Sequence, residues 1–233
     1  MPIGVICNVL AVVLGGFAGS LFGSRLNQDF KEKLNQVFAL CSMGIGITSI
    51  VLMQNIPAVI LALILGTILG HAVHLGIRIE QGGKKLAALV PGERCTDNSL
   101  LVTAIVLFCA SGTGLYGSIV SGMSGDHSIL IAKSILDFFT AMIFACSLGL
   151  AVSLTAAPQA ILFLLLFFCA RLVFPLTTPA MINDFKACGG LIMLATGFRI
   201  AKIRDFPIAD MIPAMLLVWP LSFAWASWIV PIL

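Results

Sequence analysis

The densest stretch of polar residues near the predicted membrane region lies between Gly125 and Asp137, in a chain that is strongly apolar overall. Lys133 and Asp137 are four residues apart, so in a helix that begins near Ser128 their side chains share a face. An ionised side chain within a membrane costs about 2.5–3.5 kcal/mol, so such residues face the protein interior and pair. The spacing predicts an ion pair between them, with pairing to residues of the seventh predicted span as the alternative. Such a pair either holds helices together or takes part in the passage of an ion or solute.

Other polar residues of this stretch extend the candidate site. Asp126, His127 and Ser128 come immediately before or at the start of the predicted helix, where they would lie at its outer mouth. Ser134 follows Lys133 and lies beside the predicted ion pair. We predict that these residues, together with the ion pair, line a transport pathway or an ion-binding site.

Asn8 is a polar residue inside the first apolar run of the chain. A polar group left unpaired in lipid is costly, so we expect its side chain to form a hydrogen bond to another helix. We add Asn8 to the candidate pathway residues, with a purely structural hydrogen bond as the alternative.

Polar residues also precede a short apolar run near the C-terminal end. Only 12 residues separate Lys186 from Arg199, so Asn183, Asp184 and Lys186 must enter the membrane region if a helix crosses there. A short or broken span beside polar side chains is a sign of a transporter site. The alternative is a short tilted span whose first turn lies among the outer headgroups. The following Gly189–Gly190 pair can kink the helix or admit a close neighbour.

The elements that must position these residues are membrane-spanning helices. Hydrophobic residues make up 60% of the 233 residues and charged residues 10%, and the mean hydropathy is +1.11. With His counted as neutral, 44 consecutive residues after Lys33 and 33 after Asp137 carry no charge. A hydrocarbon core about 30 Å thick needs about 20 apolar residues per helix. Since a soluble domain needs charge on its surface, the sequence predicts an all-α polytopic bundle of transmembrane helices.

Proline, asparagine and glycine signals divide the apolar runs into about eight spans. The predicted spans are 3–23, 34–53, 57–76, 100–120, 134–154, 158–176, 180–198 and 208–230. All 233 residues then form a single integral membrane domain. Its one sizeable loop, 77–99, is expected to hold a short helix that lies on the cytoplasmic membrane surface.

The distribution of positive charge supports this count. Ten of the thirteen Lys and Arg residues fall in the loops on one side of the eight predicted spans. The positive-inside rule makes that side cytoplasmic and places both termini on the periplasmic side. Adding or removing one span would destroy this asymmetry.

Small residues recur every four positions in three predicted spans. These stripes are Ala11-Gly15-Gly19-Gly23, Ala62-Gly66-Gly70 and Ala110-Gly114-Ser118-Gly122. Small residues on one helix face let two backbones approach closely, either within the chain or between subunits of a homo-oligomer, and some stripes could line a permeation path. The first and fourth spans share this pattern at an offset of 99 residues. The offset suggests inverted three-helix repeat units 1–76 and 100–176, followed by a two-helix extension, 177–233.

The polar stretch resembles the signature of a known family of bacterial inner-membrane proteins, the uncharacterised YqgA/YdfK family, a domain of unknown function. The residues that carry this resemblance are Gly125-Asp126-His127-Ser128, Lys133-Ser134 and Asp137. Two further segments are similar to that family, Gly4…Asn8…Gly15-Gly16…Gly19 and Ile182-Asn183-Asp184…Gly189-Gly190…Gly197. The resemblance covers nearly the whole chain. It implies a multi-span protein of the bacterial inner membrane and names no substrate.

The leading hypothesis is a membrane transport protein, either a secondary transporter or a channel for an ion or small solute. The sequence holds no nucleotide-binding loop that would indicate direct use of ATP, and no nucleophile–base pair that would indicate an enzyme. We expect no cofactor or metal, and the net charge of +3 gives no case for nucleic acid as a partner. The expected partners are the lipid bilayer, the ion or solute, and further copies of the chain through the glycine stripes. The alternative is a non-transport scaffold or assembly factor whose polar groups serve helix packing only.

Overall fold

A computed structural model describes residues 1–22, 28–87, 98–109 and 111–232, and this part of the chain is helical apart from short connections. The predicted all-α class is confirmed for these residues. The helices are α1 (Ile3–Phe22), α2 (Gln28–Ile50), α3 (Ile56–Ala72), α4 (Leu75–Ala87), α5 (Asn98–Cys109), α6 (Gly112–Ser124), α7 (Ser128–Leu148), α8 (Ala151–Leu154), α9 (Ala156–Val173), α10 (Pro179–Ile200), α11 (Ile208–Met211) and α12 (Ala214–Ala224). A π-helical turn, Trp225–Ile229, continues α12.

Several helical segments are long and apolar enough to cross a membrane. Within the described residues there are four such segments, Ile3–Leu21, Ser128–Cys146, Ala151–Leu172 and Ile208–Ile229. Helix α3 and the first part of α4 make a fifth candidate if they are counted together, although a bend of 60° separates them. These helices support a polytopic membrane protein, whereas the count of eight spans and the inverted repeat are not confirmed.

The fourth predicted span requires a correction. We expected one continuous helix over 100–120, but α5 ends at Cys109 and α6 begins at Gly112. Ser111 has extended backbone angles, φ −69° and ψ 135°, and its hydroxyl oxygen accepts a hydrogen bond from the backbone N–H of Gly114. This is the conformation of a helix N-cap, so Ser111 starts a new helix and does not continue the previous one.

The seventh predicted span forms one unbroken helix. Of the alternatives left open by the sequence, a broken helix is not what the structure shows, since α10 runs for 22 residues without interruption. The side-chain oxygen of Thr178 accepts a hydrogen bond from the N–H of Met181, and Pro179 occupies the first turn. These features start the helix before the polar residues, because Pro is favoured at the first helical position.

The helices form two compact units, each built from two separate stretches of chain. The first unit comprises Met1–Asn35 and Arg78–Leu172, and the second comprises Gln36–Ile77 and Val173–Leu233. Helices α1, α5, α6, α7, α8 and α9 belong to the first unit, and α3, α10, α11 and α12 to the second. The division between the units falls within α2 and α4, and before the last residue of α9.

In the first unit, α1 packs directly against α7 through the small-residue stripe of α1. A methyl group added to Gly15 would collide with the backbone carbonyl of Phe138, and one added to Gly19 with that of Met142. The later residue of α1 contacts the later residue of α7, so the two helices run in the same direction. Beside this contact, Val12, Leu101, Ala104, Phe108 and Ala141 are buried in one apolar cluster.

In the second unit, small residues again mark the closest helix contacts. A methyl group on Gly66 of α3 would collide with the backbone of Ala214, and one on Gly70 with the backbone of Asp210. On α2, the Cβ of a residue at Gly46 would lie 2.7 Å from the carbonyl oxygen of Gly190 in α10. Of the two roles expected for the Gly189–Gly190 pair, a kink or a close neighbour, the close neighbour is found at Gly190.

Candidate functional site

Lys133 and Asp137 form the predicted ion pair inside the first unit. Helix α7 begins at Ser128, which places both residues on one face. The ammonium group of Lys133 lies 2.7 Å from Oδ1 and 2.6 Å from Oδ2 of Asp137. The two residues are only 3% and 6% exposed. The two charges therefore neutralise each other in the buried interior of the unit.

Two buried amides complete the surroundings of the carboxylate. Asn8 of α1 donates a hydrogen bond from Nδ2 to Oδ2 of Asp137 at 2.9 Å, so its expected hydrogen bond between helices is confirmed. Gln159 of α9 donates from Nε2 to Oδ1 of Asn8 at 2.7 Å and approaches Asp137 Oδ2 at 3.4 Å. Both amide residues are fully buried. We call Asn8, Lys133, Asp137 and Gln159 the Asp137 cluster.

Gln159 was missed by the sequence reasoning, although a usable signal existed. It is a polar residue in an apolar run, like Asn8, and the same cost of an unpaired amide in lipid applies to both. It is the second residue of the predicted sixth span, 158–176. In the structure α9 begins at Ala156, which places Gln159 in the first turn of that helix.

One atom of the cluster has an unmet hydrogen-bonding requirement. Among the described residues, the Oε1 atom of Gln159 is the buried side-chain nitrogen or oxygen that lacks a hydrogen-bond partner. A buried polar atom without a partner costs about 1–3 kcal/mol, so such atoms are uncommon in the interior of a protein.

The interruption between α5 and α6 lies beside the ion pair. A Cβ atom added to Gly114, in the first turn of α6, would lie 2.8 Å from Cε of Lys133 and 2.9 Å from Oγ of Ser111. Cys109, the last residue of α5, is buried and lies two residues before Ser111. The Asp137 cluster therefore lies where one helix ends and the next begins.

The residues before α7 are placed at its entrance and form local hydrogen bonds. Asp126 accepts from the backbone N–H of Ser128 at 3.0 Å, and both residues are exposed. His127 Nδ1 shares a hydrogen bond of 2.6 Å with the hydroxyl group of Ser121. Ser134 is buried beside the ion pair, but its hydroxyl donates to the carbonyl of Leu130 at 2.7 Å. Of these residues, only Ser134 lies at the depth of the ion pair.

Asp184 belongs to the second unit and lies in a different environment. Its Oδ1 accepts hydrogen bonds from the backbone N–H groups of Gln54 and Asn55, both at 2.8 Å. Its Oδ2 accepts from Nδ2 of Asn55 at 2.8 Å and from the hydroxyl of Ser222 at 2.6 Å. Four donors saturate the carboxylate, which thereby joins α10 to the start of α3 and to α12. Its neighbours Asn183 and Lys186 are half-buried.

Comparisons with known proteins agree with the resemblance expected from the sequence. A family model described as "Protein of unknown function (DUF554)" matches residues 3–223. The chain is 48% identical over 233 residues to "Uncharacterized protein YqgA" of Escherichia coli (strain K12), which covers 98% of this chain and 99% of that protein. It is 24% identical over 223 residues to "Uncharacterized membrane protein YdfK" of Bacillus subtilis (strain 168), covering 92% and 93% of the two chains. No solved structure matches the chain. The predicted family is confirmed.

Proposed function

This chain belongs to the protein family DUF554, whose function is unknown, and we propose that it is a membrane transport protein. It acts as a secondary transporter or channel for an ion or small solute, and it is not an enzyme. The Asp137 cluster is the part of the pathway on which this proposal depends. The partners are the bilayer and the transported species, with assembly into a homo-oligomer as a further element of the proposal.

The observation that carries the proposal is the buried Lys133–Asp137 pair beside an interrupted helix. A buried ion pair is a poor source of stability, because apolar residues of similar volume are often as stabilising or more so. Packing alone therefore gives little reason for a lysine and an aspartate at the centre of this unit. Interrupted helices next to polar side chains are a common way in which transporters build sites for substrates and coupling ions.

The pair also suggests how an ion could be coupled to transport. Asp137 carries one negative charge that Lys133 neutralises at 2.6 Å. A proton or cation that reaches the carboxylate competes with the ammonium group, and the released ammonium can then bind another group. Charge exchange at one buried carboxylate would link the arrival of one species to the movement of another.

We further propose that the chain crosses the membrane eight times. Helix α2 has 23 residues and α10 has 22, which at 1.5 Å per residue exceeds the hydrocarbon thickness of about 30 Å. Helices α5 and α6 together make one crossing with a break. The helix directions support this arrangement in each unit, since α1 and α7 are parallel in the first and α3 and α12 antiparallel in the second.

This topology assigns the sides of the membrane. The loops that hold ten of the thirteen Lys and Arg residues face the cytoplasm, and both termini face the periplasm of the bacterial inner membrane. Asp126, His127 and the start of α7 then lie on the periplasmic side. The amphipathic residues of α4 lie on the cytoplasmic surface.

A flux measurement tests the transport proposal. The purified chain is reconstituted in liposomes and exposed to gradients of protons, Na⁺, K⁺, chloride and a panel of small metabolites. We expect wild-type protein to pass at least one of them, and Asp137→Asn to reduce that flux at least tenfold. The matched control is Glu80→Gln, which removes one partner of the exposed Glu80–Lys84 pair, also four residues apart and 2.8 Å in length.

A non-transport scaffold is the second candidate, and the environment of Asp184 favours it. Its carboxylate has a donor for each lone pair and fastens three helices together, which is a structural role for an ionisable residue in the apolar interior. If wild-type protein passes none of the tested ions and metabolites, the transport proposal is wrong and the scaffold is favoured.

A further inference from the structure

We propose that Oε1 of Gln159 forms part of a binding site for one small monovalent cation, located at the interruption between α5 and α6. This inference rests on the proposed transport function in that it names the substrate or coupling-ion class of the same site. The binding itself can be measured without transport.

The free oxygen of Gln159 is a consequence of the charge on Asp137. An ionised carboxylate can only accept hydrogen bonds, so Asn8 must present its Nδ2 to Asp137, as it does at 2.9 Å. The oxygen of Asn8 then points away and must accept, so Gln159 presents its Nε2 at 2.7 Å. The remaining atom of the Gln159 amide is its oxygen. Turning either amide over would place two acceptors against each other, so the orientation is determined by chemistry.

The free oxygen lies at the level of the helix interruption. In the first unit, Gly114 of α6 lies against Phe163 of α9, and Gly122 lies against Phe167, so these two helices run in the same direction. Gln159 precedes Phe163 by one helical turn. Gly114 precedes Gly122 by eight residues, as Gln159 precedes Phe167, so the backbone contact of Gly122 with Phe167 places Gln159 level with Gly114, in the first turn of α6 after Ser111.

The end of α5 supplies further oxygen atoms of the kind that a cation needs. The last four carbonyl groups of a helix have no partner within that helix, and they carry the negative end of the helix dipole. Helix α5 ends at Cys109, two residues before Ser111, and both Ser111 and Lys133 lie against Gly114. In transporters with interrupted helices, such carbonyl groups bind the coupling cation.

The charge balance of the cluster favours a cation of single charge. Lys133 neutralises Asp137, so the net charge of the pair is zero. Divalent cations such as Ca²⁺ take several carboxylate ligands, which this cluster does not offer. A monovalent ion requires mainly neutral carbonyl oxygens, and Gln159 and the end of α5 are of that type.

Binding is tested on the full-length protein in detergent micelles. LiCl, NaCl, KCl and NH₄Cl are titrated against N-methylglucamine chloride at constant ionic strength, with calorimetry and the thermal midpoint as readouts. We expect one of these cations to bind saturably and to raise the midpoint. Gln159→Leu should weaken its affinity at least tenfold. The matched control is Gln81→Leu, since Gln81 is an exposed glutamine of α4, and it should bind like wild type.

The proposal is overturned if no cation shows saturable binding to wild-type protein, as expected if a water molecule alone satisfies Gln159. It is also overturned if Gln159→Leu binds as tightly as wild type. Should Gln159→Leu fail to fold, Gln159→Met keeps an unbranched side chain of similar length without the oxygen and serves instead. Cation binding without any flux in liposomes would support this site and contradict transport, so the two failures are distinguishable.

Discussion

Lys133 and Asp137 lie on successive turns of α7, and the ammonium group of Lys133 lies within 2.7 Å of both carboxylate oxygens of Asp137. Both side chains are buried, so each charge has the other as its charged partner. The free energy of the fold therefore depends on the two residues jointly, and the effects of removing them should not be additive.

Removal of one partner should be more harmful than removal of both. Asp137→Leu leaves the Lys133 ammonium buried without its counterion, which should lower the free energy of unfolding by about 3–5 kcal/mol. Adding Lys133→Met removes the stranded charge, so the double variant should be more stable than Asp137→Leu alone. Thermal and chemical unfolding in micelles would measure this. If the loss of unfolding free energy in the double variant equals the sum of the losses in the two single variants, the two charges are not coupled.

Close backbone contact between α1 and α7 predicts a steric effect at Gly15. Gly15→Ala places a methyl group against the carbonyl of Phe138 and should destabilise the protein by about 1–3 kcal/mol. Gly44→Ala is the control, because no atom lies within 4 Å of the added methyl group. It should change stability by about 1 kcal/mol or less. Equal unfolding midpoints for the two variants would contradict the packing of α1 on α7.

Asp184 should act mainly through stability. Asp184→Asn replaces one acceptor oxygen with an NH₂ group that faces donors, and it removes the charge from the remaining hydrogen bonds. A loss of about 1.5–3 kcal/mol is expected from hydrogen bonds to a charged group. The control is Asp205→Asn, whose side chain is 81% exposed and pairs with Arg199 at the surface. If Asp184→Asn unfolds at the same temperature as wild type, the hydrogen bonds of Asp184 do not hold α10 to the start of α3 and to α12.

The eight-span topology predicts which residues are accessible from each side. In a background without native cysteines, Ser124→Cys should react with a membrane-impermeant maleimide added to intact cells. Arg204→Cys should react only after the inner membrane is opened, because its loop carries the positive charges. Both positions are exposed, so burial does not limit either reaction. Labelling of both cysteines from the same side would rule out this arrangement.

The sequence predicted the ion pair because its geometry is local. Two residues four positions apart in a helix share a face wherever that helix lies, and a charge in an apolar run needs a partner. The hydrogen bond of Asn8 to another helix was predicted in the same way, because an unpaired polar group is costly in lipid. Its partner could not be predicted, because Asp137 is 129 positions away and the approach depends on how α1 packs against α7.

The helix interruption could not be predicted from the same arguments. The residues around Ser111 continue an apolar run, and Gly114 fitted a four-residue stripe, so the pattern indicated an unbroken helix with a packing face. An unbroken helix with a packing face and a new helix start can be built from the same small residues, so the sequence pattern does not distinguish them. The polar residues near Asp184 instead suggested an irregular seventh span, whereas donors from the residues just before α3 and from α12 satisfy Asp184 inside a regular helix.

The measurement that tests the central claim most directly is flux through the double variant Lys133→Met/Asp137→Leu in liposomes. This variant keeps the net charge and leaves no buried charge unpaired, and although it loses the hydrogen bond from Asn8 to Asp137, enough of it should fold for the assay. The control removes the exposed pair through Glu80→Gln and Lys84→Gln. If the Asp137 cluster lies on the pathway, the buried double variant loses its flux and the exposed one retains it. Wild-type flux in a folded Lys133→Met/Asp137→Leu protein would contradict the assignment of the pathway to this ion pair.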